Sequence, residues 1–200
     1  MPVQPYHILS VARLVPKKGL PTVYRALLYL RRQGIDFRHT LIGDGEDREK
    51  ILSLIQDLGL SDVCRWEGTL PHESVLAHYD KSDLFVLGCK QAANGDRDGI
   101  PNVFIESMAM GVPVVGTRIS AIPELIEDGK TGCLVAPGRP EEMAAAMLRL
   151  LTDDQLRKEI IPAARARVLQ DFDNRKLIRD LVQVYQKGQP KLDFKGSNIE

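Results

Sequence analysis

The chain has 200 residues, 44% of them hydrophobic, and its 27 Lys+Arg balance 27 Asp+Glu to a formal net charge of zero. That length and apolar fraction suit one globular domain, and the charge balance excludes a nucleic-acid or anionic-membrane surface built on bulk charge. Three widely spaced cysteines, Cys64, Cys89 and Cys133, form no CxxC pair and no ligand cluster with His7, His39, His72 or His78, so reduced thiols in a cytoplasmic protein are expected rather than disulfides or a metal site. No apolar run approaches the ~20 residues needed to span a bilayer, and the opening MPVQPYHIL lacks the basic start and long apolar run of a signal peptide.

In chain order, Tyr6 to Ala12 is a short apolar run that reads as a buried strand, and Arg13 to Gly19 is a loop. Leu20 to Gly34 places Leu20, Val23, Ala26, Leu27 and Leu30 at helical spacing. Phe37 to Ile42 is a second strand, closed by Gly43-Asp44-Gly45. Glu46 to Leu58 is a helix with Ile51, Leu54, Ile55 and Leu58 on one face and Gly59 past its end. A strand at Val63 to Glu67, a helix at Pro71 to Tyr79 and a buried strand at Leu84 to Leu87 follow. A polar loop from Asp96 to Gly99 then leads to Pro101, whose fixed φ and missing N–H suit a helix start. The helix is expected over Asn102 to Met110, ended by Gly111, and is followed by a strand at Val114 to Thr117, a turn near Pro123 and a strand at Cys133 to Val135. Helices at Glu141 to Leu151, Asp154 to Leu169 and 175–187 complete a domain over residues 1–187, and the polar stretch 188–200 reads as a frayed tail.

Near-continuously apolar strands alternating with helices mean an α/β fold, a Rossmann-like doubly wound parallel sheet covered on both faces. Ligands in such sheets bind at the carboxyl ends of the strands, where the strand order reverses. Four stretches fall just after strands: Arg13 to Gly19, Gly43 to Gly45, Gly68 to Leu70, and Gly88 to Asn102. The last is the richest in chemistry. The first N–H groups of the helix, at Asn102 and Val103, are unpaired donors at its positive end and suit a phosphate. Glu106 sits on that helix among apolar and small residues, where an acid needs partners such as two ribose hydroxyls. Asp98, eight residues before it, can accept from a sugar. Arg13 and Lys18 flank the turn after the first strand and can balance a diphosphate; Lys17 is assigned to solvent.

Other patterns are weaker. Gly43-Asp44-Gly45 begins a dinucleotide fingerprint, but Arg48 stands where its third glycine belongs, and no phosphate-loop G-x-x-x-x-G-K-[ST] is present. Trp66 reads as core. His72 and His78 lack metal-ligand spacing and read as surface residues. Ser107 and Ser120 lack the G-x-S-x-G elbow of a hydrolase. Leu177, Ile178, Leu181, Val182 and Tyr185 form one apolar face on the last helix.

Asp98-Gly99, Val103 and the run Glu106-Ser107-Met108-Ala109-Met110-Gly111-Val112-Pro113-Val114-Val115 resemble the signature of the retaining family 4 glycosyltransferases, E-G-x-x-x-V-x-x-E-A-M-A-x-G-x-P-V-V. Two positions depart from it: Asp98 replaces the first Glu and Ser107 replaces Ala. Arg13…Lys18-Gly19 matches the R-x-x-x-x-K-G pattern of the same family, and the resemblance runs over residues 6–187. It implies the C-terminal, donor-binding half of a GT-B fold, in which two Rossmann-like domains enclose the reaction. The acceptor half would precede Tyr6, so the 200 residues are expected to be a piece of a longer enzyme, with Met1 as an added start.

The resemblance further implies transfer of a hexose from a nucleoside diphosphate sugar, UDP- or GDP-linked, to an acceptor hydroxyl with retention. Arg13, Lys18 and Asp98 would be catalytic. Gly43, Gly45, Leu70, Gly99, Asn102, Val103 and Glu106 would bind the donor, Leu70 lying where the nucleobase edge meets the chain. No metal, no cofactor and no side-chain nucleophile is expected. The partners implied are the donor sugar nucleotide and the acceptor domain, with any peripheral membrane association made through that other domain. The last helix would either cross to the acceptor domain or pack on its own. Gly95 to Val103 resembles the branch that builds bacterial exopolysaccharide or lipopolysaccharide. Alternatives are a nucleotide-sugar epimerase of GT-B fold and a non-catalytic nucleotide-sugar module; an NAD-dependent dehydrogenase is opposed by the missing fingerprint. The domain by itself is expected to be almost inactive as a transferase.

Overall fold

The structure is a computed structural model that describes residues 2–187; the tail expected over 188–200 lies outside the described residues. Six parallel strands form one sheet: β1 (Tyr6–Val11), β2 (Phe37–Ile42), β3 (Cys64–Trp66), β4 (Leu84–Val86), β5 (Val114–Thr117) and β6 (Cys133–Val135), in the order β3-β2-β1-β4-β5-β6. β1 and β2 pair along their whole length, from Tyr6 opposite Phe37 to Val11 opposite Ile42. On its other side β1 pairs with β4, Ile8 opposite Leu84. The chain therefore builds outward from β1 to one edge, returns to the centre, and builds outward again. That reversal places the β1 and β4 loops side by side at the carboxyl end of the sheet.

The eight helices with described backbone are α1 (Leu20–Arg32), α2 (Arg48–Asp57), α3 (His72–Asp80), α4 (Asn102–Met110), α5 (Ile122–Leu125), α6 (Pro140–Thr152), α7 (Asp154–Asp171) and α8 (Asn174–Lys187). α1 packs against α2 and α6, and α4 packs against α3 and α7. β4, β5 and β6 are buried throughout, as strands covered on both faces must be. Helix ends fall within a few residues of their sequence-based positions. The turn expected near Pro123 is instead the short helix α5, with the proline in its first turn, where its ring costs no hydrogen bond.

One buried group inside the sheet shows how this interior treats charge. His39 is 1% exposed, its Nε2 lies 3.1 Å from Ser10 Oγ, and that hydroxyl donates to Val86 O at 2.7 Å. Burial pushes the imidazole down to about 3, so it is neutral in the folded protein. The Tyr24 ring meets it edge-on at 5.3 Å. Cys64, Cys89 and Cys133 are free thiols, each pushed up by burial to about 12, 12 and 11. Among the described residues no helix is long and apolar enough to cross a membrane. Among the described residues of the apolar face of α8, Ile178, Leu181, Val182 and Tyr185 are exposed; the Leu177 side chain lies outside those described.

Candidate functional site

The loops after β1, β2, β3 and β4 meet at the carboxyl end of the sheet, and their contacts are mostly backbone against backbone. Gly19 has φ +60°, and a Cβ there would stand inside the carbonyl oxygen of Gly88, so the β1 loop can approach the β4 loop only with glycine at this point. The same holds between the β1 and β2 loops: a Cβ at Gly43 would collide with Ala12 O, and one at Gly45 with Leu14 O. Gly43 and Gly45 are thus required by the protein's own backbone. Gly43 N donates to Gly68 O at 2.7 Å, tying in the β3 loop. Trp66 Nε1 donates to Gly43 O at 2.8 Å and carries the Arg48 guanidinium over its ring at 5.6 Å, so this indole braces the loop as well as joining the core. Leu70 is half-buried on the β3 loop, and a Cβ at Gly99 would meet open space.

A short 3-10 turn over Pro16–Lys18 throws two ammonium groups toward the β4 loop. Lys18 Nζ lies 2.8 Å from Asp98 Oδ2. Lys17 Nζ lies 3.1 Å from the Asp96 carboxylate and 3.5 Å from Asp98 Oδ1. The side chains of Lys17, Lys18 and Asp98 are 14%, 13% and 16% exposed, against 52% for Asp96. Lys17 is therefore not a solvent lysine, as its place outside the R-x-x-x-x-K-G pattern implied; its partners lie 79 residues on in Asp96 and further in Asp98, beyond any local spacing rule. The hydrogen bond that the Lys17 ammonium donates to Asp96 raises its pKa above the usual lysine value. Arg13 is exposed and makes no ion pair among the described residues. It lines a cleft of about 400 Å³ together with Pro16, Lys17, Glu46, Asn94 and Asp96.

α4 begins at Pro101 with no side-chain cap, leaving the N–H groups of Asn102 and Val103 without a side-chain acceptor. Glu106 is half-buried one turn further on. Its Oε2 faces the Tyr79 hydroxyl at 3.3 Å, and the same hydroxyl is 3.1 Å from Val103 O. Burial first, and then the Glu106 carboxylate, push this phenol well above its ordinary range, so Tyr79 acts only as a donor here. Tyr79 was not legible as a site residue. It ends the helix expected over Pro71 to Tyr79 and is buried there with Val75, and nothing local reveals that its hydroxyl reaches another helix. The structure thus pairs Lys18 with Asp98, puts Arg13 on the cleft that Lys17 and Asp96 also line, and sets Asn102, Val103 and Glu106 on the helix that follows. The Glu106 carboxylate accepts its hydrogen bond from Tyr79 on α3 rather than from the cation cluster.

Chemically, the arrangement offers exposed and partly exposed cations, open amides and acceptor carboxylates, which suits a polyanion joined to hydroxyl-bearing groups. Among the described residues no group of three or more His, Cys, Asp or Glu could hold a metal ion.

The family described as glycosyl transferases, group 1, matches residues 2–167. An amylovoran biosynthesis glycosyltransferase, AmsK, from Erwinia amylovora is 38% identical over 184 residues, covering 92% of this chain and 45% of the relative. The chain spans about half the length of the curated relatives it matches. Among solved structures, Anabaena HepE in complex with UDP-glucose superposes with a TM-score of 0.80 at 24% identity, covering 92% of this chain and 49% of that one. The C-terminal domain of a group 1 glycosyl transferase, LpcC, from Francisella tularensis gives 0.73 at 22% identity, covering 84% of this chain and 87% of that one. These similarities in structure establish the GT-B, Rossmann-like fold.

Proposed function

The chain belongs to the group 1 glycosyl transferases, and from that premise we propose that its sheet end is the donor half of an active site that transfers a hexose from a UDP- or GDP-sugar, with retention, to an acceptor hydroxyl. The observation that carries this reading is the Lys18–Asp98 ion pair at 2.8 Å, which brings the R-x-x-x-x-K-G loop against the loop that opens α4. In this reading Arg13, Lys18 and the Asn102 and Val103 amides hold the diphosphate and stabilise the charge that grows on it as the sugar leaves. Asp98 accepts from the sugar. Glu106, with one oxygen toward Tyr79, keeps acceptor capacity for ribose hydroxyls.

No side chain is placed as a nucleophile in this reading. The bond from the anomeric carbon to the phosphate oxygen breaks, the bond to the acceptor oxygen forms on the same face, and the acceptor's proton passes to the departing phosphate. The charge on the leaving group is met by Arg13, Lys18 and a helix end, without a metal or cofactor. The acceptor is held by a second domain, in a cytoplasmic enzyme of cell-surface polysaccharide synthesis that meets a membrane, if at all, through that domain. The exposed Ile178, Leu181, Val182 and Tyr185 of α8 are the surface that the second domain covers.

Titration calorimetry of the 200-residue chain with UDP, GDP and ADP tests the donor assignment. One of UDP or GDP should bind in the range of ~10 μM to 1 mM. Equal, negligible heats for all three would contradict it.

A further inference from the structure

Lys17 has no role in the donor reading, yet the fold spends effort on placing it. Its carbonyl accepts from Lys90 N at 2.9 Å, and Pro16 and the left-handed Gly19 fix the turn that carries it. Its ammonium stands between two acids of the β4 loop. Taken with Lys18, the four side chains form an alternating row, Asp96–Lys17–Asp98–Lys18, whose charges cancel. Asp98 is the shared member. One of its oxygens is held tightly by Lys18 at 2.8 Å, the other loosely by Lys17 at 3.5 Å.

This row creates a conflict that the donor must resolve. A diphosphate that engages Lys18 displaces a carboxylate already in contact with that ammonium. Two anions would then share one cation in a poorly hydrated corner, and their repulsion would oppose binding. Lys17 offers the way out, because it is rooted in the same rigid turn and already faces the second oxygen of Asp98.

We propose that Lys17 is a positioning residue that takes over Asp98 when the donor diphosphate draws Lys18 away, so that donor binding exchanges the partner of Asp98 instead of leaving it unpaired. This rests on the donor-site reading above. Lys17 touches no phosphate in this scheme; it acts through Asp98, keeping that acid paired and in place for the sugar. Asp96 keeps Lys17 aimed at the loop in both states.

A double-mutant cycle read by calorimetry with UDP and GDP tests the exchange. Lys17→Met should weaken binding of the nucleoside diphosphate about tenfold, because Asp98 then holds Lys18 without an alternative. Asp98→Asn should strengthen it severalfold by releasing Lys18, and Lys17→Met added to Asp98→Asn should cost less than about twofold. Lys17→Arg should restore wild-type affinity. A Lys17 that merely straps the loop would lose the same affinity in both backgrounds, and that result, or an unchanged affinity of Lys17→Met, would overturn the exchange while leaving the donor site standing. A wild-type chain that binds neither nucleotide would overturn the donor reading, and this inference with it.

Discussion

Two regions of the same sheet treat ionisable groups in opposite ways. At the carboxyl end, Lys17, Lys18, Asp96 and Asp98 keep their side chains in contact as neighbouring opposite charges. Within the sheet, His39 is far more enclosed and has a serine hydroxyl rather than a counter-charge as its hydrogen-bond partner, and burial keeps it neutral. A charge is retained where it has a counter-charge and some water, and refused where it has neither. The paired region therefore stores charge that a ligand can use, whereas the neutral region contributes only to folding. Glu106 lies between these cases: a half-buried acid whose protein partner is a neutral phenol rather than a cation.

The neutral region should break first, and by the largest amount. The folded His39 titrates near 3 and the unfolded one near its ordinary value, so on acidification the unfolded chain takes up a proton that the folded chain refuses. Stability is thus lost as the pH falls below about 6.5, at a slope approaching about 1.4 kcal/mol per pH unit, until the folded imidazole also protonates near 3. Urea unfolding between pH 7 and 4.5 should show this slope, and His39→Gln should flatten it. A wild-type profile no steeper than that of the variant would remove the argument from burial.

Glu106→Ala comes next. It should lower affinity for the nucleoside diphosphate by about thirtyfold or more, since hydrogen bonds to a charged acceptor are each worth roughly 1.5–3 kcal/mol. Thermal unfolding of the variant should stay close to wild type, separating lost binding from lost fold. Arg13→Ala should cost about tenfold for the diphosphate while leaving the nucleoside itself nearly unaffected; equal losses for both ligands would argue that Arg13 does not meet phosphate. Tyr79→Phe should have the smallest effect. It removes one buried hydroxyl from Glu106 and Val103, worth about 1 kcal/mol of stability, and should weaken nucleotide binding only severalfold by loosening Glu106. A binding loss as large as that of Glu106→Ala would mean the phenol meets the ligand directly.

Much of this was legible in the sequence because the signals are local. The bounds of β2, α4, β5 and β6 coincide with those read from the sequence, each element having a Gly or Pro beside one end. The sharp boundaries of α4 follow from Pro101 and Gly111, one suited to a helix start and the other to a left-handed end. The short α5 was read as a turn because four residues give no periodicity to detect. What stayed hidden depends on contacts between distant segments. Lys17 reads as solvent until Asp96 and Asp98 are brought beside it, and Tyr79 reads only as the end of a helix until α3 meets α4. Gly43 and Gly45 were legible as tight-turn glycines near the cleft, but the need for them comes from the β1 loop packed against them, which no pattern in the sequence displays.

The central claim is that one pocket holds a diphosphate on Arg13, Lys18 and the start of α4 while Glu106 grips the adjoining ribose. A crystal structure of the chain soaked with UDP or GDP tests it most directly. The account predicts the diphosphate against Arg13, Lys18 and the Asn102 and Val103 amides, with Asp98 turned from Lys18 toward Lys17 and both ribose hydroxyls on Glu106. A nucleotide bound elsewhere, or Glu106 directed into bulk water with the ligand in place, would contradict it.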